Sequence, residues 1–431
     1  MQKQSPMRRI LGNFGFLIRG RGIAGVMKFA AIALMARALG PAEFGMLVLI
    51  QTYSLFVRGL FNVQLFEAIV RYGVPLHDKE DKPALQRLIT ICWRLDKITS
   101  ISAALLAILI APLIGPLLGI VPEHLSLLTL YSITLFIQMG NGTATGILRL
   151  FDRFDILGKQ MTIGPSILFS GVLIAWWLNS SLLVFLSILA ISSAAEKIYL
   201  SWYGWREFQR NIHPNTSLLC NKKIHFEEFS GLRRFLWITY WQSNIDLVYK
   251  NISIMLIGSF LGASEAGLLR LARQFSSFIA KPAALIRQVV FPDLTRSWHQ
   301  SSSDFKIITY RTALYACLAG ILFVVLSYFY GDLLLTSFVG KEYLAAAPLL
   351  TILLLAASFD LAAASLRAAA YAAGDADKVL ILNAAITLLY IGLFITFTMW
   401  LGLIGAGIAA CIAAAIAPVA LALIIRKHVM E

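Results

Sequence analysis

Residues 39–47 read LGPAEFGML, and residues 261–269 read LGASEAGLL. Both stretches follow the pattern LGxxExGxL and begin 222 residues apart, which is close to half of the 431-residue chain. The Leu-Arg steps at 148–149 and 366–367 show nearly the same offset. Similar segments at a fixed spacing indicate an internal duplication, so we predict two related halves. Chance similarity between two glycine-rich turns is the alternative interpretation.

The amino-acid composition of the chain is typical of a membrane protein. The chain is 58% hydrophobic and 14% charged, with a mean hydropathy of +0.75, whereas soluble domains are about 45–50% apolar and about 25% charged. A membrane-crossing helix needs about 20 mostly apolar residues. We predict twelve such spans, at residues 14–38, 43–68, 88–112, 125–148, 158–179, 181–204, 235–260, 265–291, 308–330, 343–366, 378–400 and 403–425. The longest stretch between them is too short to hold a separate catalytic domain.

The basic residues are distributed unequally between the two sides of the predicted membrane. Loops on one side carry most of them, including Arg8-Arg9, Lys222-Lys223 and Arg233-Arg234, whereas the loops of the other side carry Lys341 alone. Since cytoplasmic loops are enriched in Lys and Arg, both termini are predicted to be cytoplasmic. The asymmetry also accounts for most of the net charge of +14 without a nucleic acid partner.

We therefore predict an all-α integral membrane protein with twelve transmembrane helices in two six-helix bundles, related by the internal repeat around a central cavity. The N-terminal bundle covers residues 1–204, a cytoplasmic linker covers 205–234, and the C-terminal bundle covers 235–431. Because six is even, both halves have the same orientation and form parallel repeats. Two such bundles facing a central cavity are typical of an alternating-access transporter.

Polar and basic side chains recur at helical spacing inside several spans. A charge at the middle of a bilayer costs about 2.5–3.5 kcal/mol on insertion scales, so it should face water or a partner. We expect these stripes to line a cavity, although basic residues near span ends can instead extend to the headgroups. The stripes comprise Gln51, Ser54, Arg58 and Asn62; Gln138, Asn141, Thr145 and Arg149; Gln242, Asp246, Tyr249, Lys250 and Ser253; and Arg270, Arg273, Gln274, Ser277 and Lys281.

The chemistry of these stripes favours an acidic cargo. A cavity lined by Arg and Lys attracts anions, and guanidinium groups donate two parallel hydrogen bonds to phosphate. Among the few acids within spans, Asp246 stands four residues before Lys250, which predicts an ion pair. Alternatively, Asp246 or Asp360 takes up a proton during transport. Asp96 beside Lys97, like Glu196 beside Lys197, is expected to form an ordinary pair at the membrane interface.

The sequence offers no pattern for a metal or cofactor. Cys92, Cys220, Cys317 and Cys411 have no paired spacing, and the six histidines are scattered. Neither a disulfide framework nor a metal site is predicted. A soluble enzyme, a DNA-binding protein and a secreted domain are excluded by the same composition.

Several short motifs, taken in order, carry a family resemblance. They are Ala38 to Gly45 after span 1, Asp246 followed by Ile257 to Gly262, then Glu265 to Leu268, and Pro282 followed by Val290 to Pro292. With them, the chain resembles the bacterial polysaccharide-transporter family, the O-antigen flippases of the multidrug/oligosaccharidyl-lipid/polysaccharide export superfamily. The resemblance covers the whole chain, including the basic central loop.

This resemblance implies a transporter of the inner membrane rather than an enzyme, and no cofactor. It implies flipping of an undecaprenyl-pyrophosphate-linked oligosaccharide, coupled to a proton or sodium gradient as in an antiporter. The cargo and the membrane lipids would be its partners, and the sequence leaves open whether other polysaccharide-assembly proteins bind the cytoplasmic loops. Carried onto this chain, the cationic cavity comprises Arg21, Lys28, Arg58, Lys250, Arg270, Arg273 and Lys281. The candidates for ion coupling are Asp246 and Asp360.

Three rival functions share parts of this pattern. A multidrug exporter would have the same spans but would line its cavity with acids for cationic drugs. A lipid II flippase usually carries two further spans. A membrane polymerase or glycosyltransferase would need a sizeable outward-facing loop with catalytic residues, and the outward loops here offer only Glu123, His124, Asp332 and Glu342.

Overall fold

The structure is a computed structural model that describes residues 6–212, 228–277 and 302–429. Within these ranges every regular element is a helix. The α-helices are α1 (Pro6–Leu60), α2 (Leu65–Asp78), α3 (Lys82–Leu117), α4 (Leu125–Ser132), α5 (Asn141–Leu150), α6 (Phe154–Trp177), α7 (Leu182–Ile212), α8 (Leu232–Leu261), α9 (residues 263–277), α10 (Ser302–Phe338), α11 (Ala347–Ala372) and α12 (Ala376–Val429). Short 3₁₀ helices occupy Pro122–His124, Ile133–Gln138 and Lys341–Ala346. The predicted all-α fold is confirmed.

The helices accommodate the predicted spans. Seven helical segments of the described residues are long and apolar enough to cross a membrane. Two of them each contain two predicted spans, and the helical backbone is broken between those spans at Gly40 in α1 and at Gly402 in α12. Predicted spans 4, 7 and 8 correspond to α4–α5, to α8 and to α9, which is described as far as residue 277. Large side chains such as Leu109 and Trp400 are 75% and 87% exposed, as expected of surfaces that face lipid.

Span 4 differs from the continuous helix predicted over residues 125–148. Helix α4 passes into the 3₁₀ helix Ile133–Gln138, and the chain then turns through Met139 and Gly140 before α5 begins. Gly140 has φ +82°, a left-handed conformation that glycine adopts without steric cost. Helix α5 is therefore a separate short helix with its own N-terminus inside the protein.

The chain folds into two compact units. The first comprises residues 1–39 and 49–252, and its core lies among α2, α3, α5 and α7, with Ile69, Ile89, Ile147 and Phe208 at most 1% exposed. The predicted linker is partly helical, because α7 continues to Ile212, and residues 213–227 lie outside the described residues. The predicted division at 1–204 and 235–431 places residues 40–48 and 235–252 differently from these units, and the repeat relation stays a prediction.

The second unit comprises residues 40–48 and 253–431. Its core lies among α10, α11 and α12, where small residues such as Ala363, Ala368 and Ala369 are fully buried. This unit contains residues 40–47 of the first LGxxExGxL motif copy and the whole of the second, and the two copies contact each other. A Cβ atom added at Gly45 would lie 1.8 Å from the carbonyl oxygen of Ala263, and one added at Gly267 would lie 3.2 Å from the carbonyl oxygen of Pro41. The offset of 222 residues relates Gly45 to Gly267 and Pro41 to Ala263. The glycine of each motif copy therefore approaches the equivalent residue of the other copy.

Candidate functional site

The first unit contains a polar cavity of about 410 Å³. Helices α1, α5, α6 and α7 and the segment before α5 contribute to its wall. Its size falls within the range of about 300–1,000 Å³ typical of small-molecule sites. The polar residues that line it are Arg58, Asn62, Gln138, Asn141, Thr145, Arg149, Gln160 and Lys197. The structure thus places all four polar residues of the span 4 stripe, together with Arg58 and Asn62 from span 2, at one cavity.

Arg58 lies in the last turn of α1 and is held by Asp96 of α3. Its Nη2 atom lies 3.6 Å from Asp96 Oδ1, and the two side chains are 12% and 3% exposed. Asp96 also accepts hydrogen bonds from the backbone N–H of Thr143 at 3.0 Å and from its hydroxyl at 3.3 Å. Since the first N–H groups of a helix lack partners within it, Asp96 caps α5 from a neighbouring helix. One carboxylate thereby fixes both Arg58 and the start of α5. The expectation that Asp96 pairs with Lys97 is wrong.

Asn141 is the first residue of α5 and lines the cavity. The residue is 9% exposed, and neither its Nδ2 nor its Oδ1 atom has a hydrogen-bond partner among the described residues. Leaving a buried polar group unpaired costs about 1–3 kcal/mol. Asn141 is therefore a buried polar side chain beside the cavity whose hydrogen-bonding capacity is unused among the described residues.

Two further cations complete the wall. Lys197 Nζ lies 3.6 Å from Glu196 Oε1, as the sequence predicted for this pair. The same carboxylate oxygen accepts a hydrogen bond from the Gln160 amide. The guanidinium of Arg149 lies over the ring of Phe66, 4.3 Å from its centroid, a favourable cation–π position.

A second cavity, of about 700 Å³, shares Arg149 with the first. It lies at the ends of α2, α5 and α7, and its wall includes His77, Arg153, Glu207 and Arg210. Arg153 forms ion pairs with Asp155, at 3.2 Å, and with Glu207. The hydrogen bond to Asp155 and the two nearby carboxylates raise the pKa of Arg153 above its ordinary value. This cavity is therefore of mixed charge, unlike the first.

In the second unit, Arg273 occupies a well-defined position in α9. Its guanidinium donates hydrogen bonds to Ser253 Oγ at 2.6 Å and to the Tyr390 hydroxyl at 2.9 Å. Arg270 lies one turn earlier and is half-buried. Asp360 lies in α11 with an exposed side chain. The structure thus connects α9 with α8 and α12 through Arg273.

Of the remaining predicted site residues, Lys28 alone has a described side chain, and it lines neither cavity. Lys28 is exposed on α1. The side chains of Arg21, Asp246 and Lys250 lie outside the described residues, and so does Lys281. The expected ion pair between Asp246 and Lys250 accordingly stays a prediction. Among the described residues, no group of His, Cys, Asp or Glu side chains has the arrangement of a metal site.

Asp96 and Gln160 contribute to the site, and neither belongs to a polar stripe predicted from the sequence. A charged residue inside a predicted span indicates a functional role, and Asp96 is such a residue. Because Lys97 is its neighbour in the sequence, an ordinary ion pair between the two was expected instead. Gln160 lies six residues into α6 and belongs to no recognisable stripe. Their roles depend on contacts across 47 and 36 residues of sequence, respectively.

Comparisons with known proteins identify a family for this chain. The sequence profile of a family described as "Polysaccharide biosynthesis protein" matches residues 10–298, more than half of the chain. The inner membrane protein YghQ of Escherichia coli (strain K12) is 26% identical over 340 residues, which cover 79% of this chain and 95% of that protein.

Solved structures share the fold. A structure of the lipid II flippase MurJ in an inward closed conformation matches with a TM-score of 0.76 and 15% identity, covering 96% of this chain and 89% of that one. An inward-facing multidrug resistance MATE family transporter of the MOP superfamily matches with a TM-score of 0.71 and 15% identity, covering 94% of each chain. The predicted transporter fold is confirmed.

Proposed function

Because the chain belongs to the polysaccharide biosynthesis protein family, we propose that it is a flippase for an undecaprenyl-pyrophosphate-linked oligosaccharide, such as an O-antigen repeat unit. It carries this cargo from the cytoplasmic to the periplasmic leaflet of the bacterial inner membrane, with both of its termini in the cytoplasm. The cargo and the surrounding lipids are its partners.

The cationic cavity of the first unit is the observation that carries this proposal. Arg58, Arg149 and Lys197 contribute positive charge, and uncharged amides and a hydroxyl separate them. A phosphorylated sugar offers anionic oxygens and hydroxyl groups together, so it matches this wall better than a lipophilic cation does. This favours the flippase over a multidrug exporter, because the residues that line the cavity include no acid that would bind a cationic substrate.

The contact between the two motif copies supports alternating access. In the proposed orientation, residues 40–48 and 262–267 lie at the periplasmic side. The close approach of Gly45 to Ala263 then holds the two segments together on that side of the membrane. Opening toward the periplasm requires these segments to separate. Glycine at both equivalent positions permits the tight closed state, which a larger residue would oppose.

Ion coupling belongs to the same proposal. A proton or sodium gradient drives the cycle, with Asp246 and Asp360 as the candidate coupling residues.

Transport into liposomes tests the proposal. The purified chain is reconstituted with polyprenyl-linked oligosaccharide, and an impermeant glycosidase reports how much cargo reaches the outer face. We expect transfer by the wild type and strong loss in the Arg58→Ala/Arg273→Ala double variant.

The matched control is Arg87→Ala, because Arg87 pairs with Glu228 on the surface, outside the cavity. This variant should transfer cargo at the wild-type rate. Transfer of a cationic dye without transfer of the lipid-linked sugar would favour the exporter instead. Chain extension of the sugar without transfer would indicate a polymerase.

A further inference from the structure

The first three turns of α8 carry arginine and tryptophan side chains on one exposed face. Arg233 and Arg234 are exposed, and Trp237 and Trp241 are 63% and 51% exposed. Spacings of three and four residues place both arginines on the same side of the helix as the tryptophans. We call these four residues the α8 surface.

The arginines of the α8 surface have no acidic partner among the residues that the structure describes. Within the same ranges, the acid nearest to them in the sequence is Glu228, which pairs with Arg87 instead. The first turn of α8 contains no acidic residue, although cations are unfavourable there. Arg71 of α2 adds a third cation beside this turn, because its guanidinium lies 4.6 Å from the ring centroid of Phe235. The positive charge of the surface therefore favours an anionic partner.

The two tryptophans of the α8 surface are held in place by Tyr240. The ring of Tyr240 stacks on Trp237 with centroids 6.1 Å apart, and its centroid lies 5.6 Å from that of Trp241. The Tyr240 hydroxyl donates a hydrogen bond of 2.8 Å to the carbonyl oxygen of Leu60, the last residue of α1. Because the aromatic rings are already packed together, a ligand that contacts them loses less free energy to ordering side chains.

A second helix shows the same order of arginine and tryptophan. In α7, Trp202 is 59% exposed, and Arg206 follows it by one turn and is also exposed. In the proposed orientation α7 runs toward the cytoplasm and α8 begins there, so each helix places an arginine about 6 Å further out than a tryptophan. Tryptophan is enriched at the headgroup level of membranes, and arginine is enriched on the cytoplasmic side. This order is the one expected at the headgroup layer of the cytoplasmic leaflet.

We propose that the α8 surface binds the headgroup of an anionic phospholipid in the cytoplasmic leaflet. The inference rests on the membrane orientation of the proposed function and adds a lipid partner with a defined site. Guanidinium groups donate paired hydrogen bonds to a phosphate, and the indole N–H of tryptophan is a donor at the boundary between headgroups and acyl chains. A zwitterionic lipid is disfavoured, because the cations of the surface repel its ammonium group.

Two other occupants fit the α8 surface less well. An acidic protein in the cytoplasm would contact the arginines but would leave the tryptophans, which lie deeper along the helix, without a partner. Cargo inside a cavity would meet a different face of α8, because the polar stripe predicted for this span begins at Gln242 and helical spacing places it away from the tryptophans. A phospholipid contacts both parts of the surface, since its phosphate lies outside its acyl chains.

Native mass spectrometry of the purified full-length chain in detergent tests the site. The probes are phosphatidylglycerol, which is anionic, and phosphatidylethanolamine, which is zwitterionic, with matched acyl chains. We expect one phosphatidylglycerol to bind at least about tenfold more tightly than phosphatidylethanolamine. A basic residue near an anionic membrane surface contributes about fivefold to affinity, so Arg233→Gln/Arg234→Gln should weaken phosphatidylglycerol binding about 25-fold.

The matched control is Lys79→Gln/Lys82→Gln. It removes the same charge from two exposed residues at the turn between α2 and α3, which the proposed orientation also places on the cytoplasmic side. This variant should bind phosphatidylglycerol as the wild type does. An equal loss in both variants would overturn the inference, because the lipid would then respond to net charge alone.

Thermal unfolding separates lipid binding from folding. Without lipid, Arg233→Gln/Arg234→Gln should keep the wild-type midpoint or raise it, because the variant removes two cations from the first turn of α8. Added phosphatidylglycerol should raise the midpoint of the wild type more than that of the variant, because a ligand stabilises the state that binds it. An equal rise in both would contradict a site at the arginines.

Competition identifies the occupant. Displacement of phosphatidylglycerol by an equimolar amount of undecaprenyl phosphate would assign the surface to the cargo, and displacement by poly-glutamate would assign it to an acidic protein; either result would overturn the inference. If the chain transfers lipid-linked cargo but does not prefer phosphatidylglycerol, the lipid site is wrong and the flippase remains. Failure of transfer by a chain that still binds phosphatidylglycerol would overturn the proposed function alone.

Discussion

Substituting Gly45 by alanine should bias the protein against the state in which the two motif copies touch. The added Cβ would lie 1.8 Å from the Ala263 carbonyl oxygen, whereas ordinary contact begins at 3.4 Å. The backbone segments must therefore separate by about 1.6 Å, which is the difference between these distances. Overpacking of this kind costs about 1–3 kcal/mol, which corresponds to a change of about 5- to 150-fold in the ratio of the two states.

Pulsed dipolar spectroscopy measures this ratio. Spin labels at Ala42→Cys and Ser264→Cys, introduced after the four native cysteines are replaced, report the distance between equivalent positions of the two motif copies. In the wild type we expect a predominant short distance. In Gly45→Ala the population should shift to a longer one, and transport should slow because closure is disfavoured.

Alanine substitutions at two further glycines serve as comparisons for Gly45→Ala. A Cβ at Gly267 would lie 3.1 Å from the Cα atom of Gly45, so Gly267→Ala should produce a smaller shift. Gly392 lies in α12 with no atom within 4 Å of an added Cβ, so Gly392→Ala should leave the distances unchanged. The reasoning is refuted if Gly45→Ala retains the wild-type distribution, or if Gly267→Ala shifts it further than Gly45→Ala does.

Three thermal-unfolding measurements test the ion pairs and hydrogen bonds around the sites. Asp96→Ala should lower stability by about 3–5 kcal/mol, because it leaves the nearly buried Arg58 without its partner; a loss below 1 kcal/mol would mean that the pair is not formed. Tyr390→Phe should cost roughly 1–3 kcal/mol by removing a buried acceptor of Arg273, and an unchanged midpoint would contradict that hydrogen bond. Arg87→Ala should cost less than about 1 kcal/mol, because its pair with Glu228 is exposed, and a larger loss would show that this surface pair has a structural role.

The helical fold was predictable from the sequence because each crossing requires its own long apolar segment. The kinks at Gly40 and Gly402 were also anticipated, since separate spans were predicted on either side of each. The break in span 4 was not. Apolar residues continue through it, and the cap that stabilises the new helix start comes from Asp96, 47 residues before Thr143. A hydropathy profile measures how apolar a segment is. It cannot show that a residue distant in the sequence caps the start of a helix.

The candidate site was predictable only in part, because the sequence shows which residues share a helix face but not which helices contact each other. Helical spacing placed Asn141, Thr145 and Arg149 on one face of α5, because residues four apart share a helix face. Gln138 lines the same cavity from the 3₁₀ helix before the break, which helical spacing does not explain. Spacing within a helix cannot identify contacts between helices, so the pairing of Arg58 with Asp96 was missed. The LGxxExGxL motif likewise predicted the repeat but not that its two copies touch.

The break in span 4 and the polar cavity have a common physical cause. A continuous apolar helix satisfies all of its backbone groups internally and offers none to a ligand. Starting α5 inside the protein instead exposes N–H groups that need an acceptor, and Asp96 supplies it. That carboxylate needs a counter-charge in turn, and Arg58 supplies it at the cavity wall. Polar residues in this part of the first unit therefore stabilise one another across three helices, α1, α3 and α5.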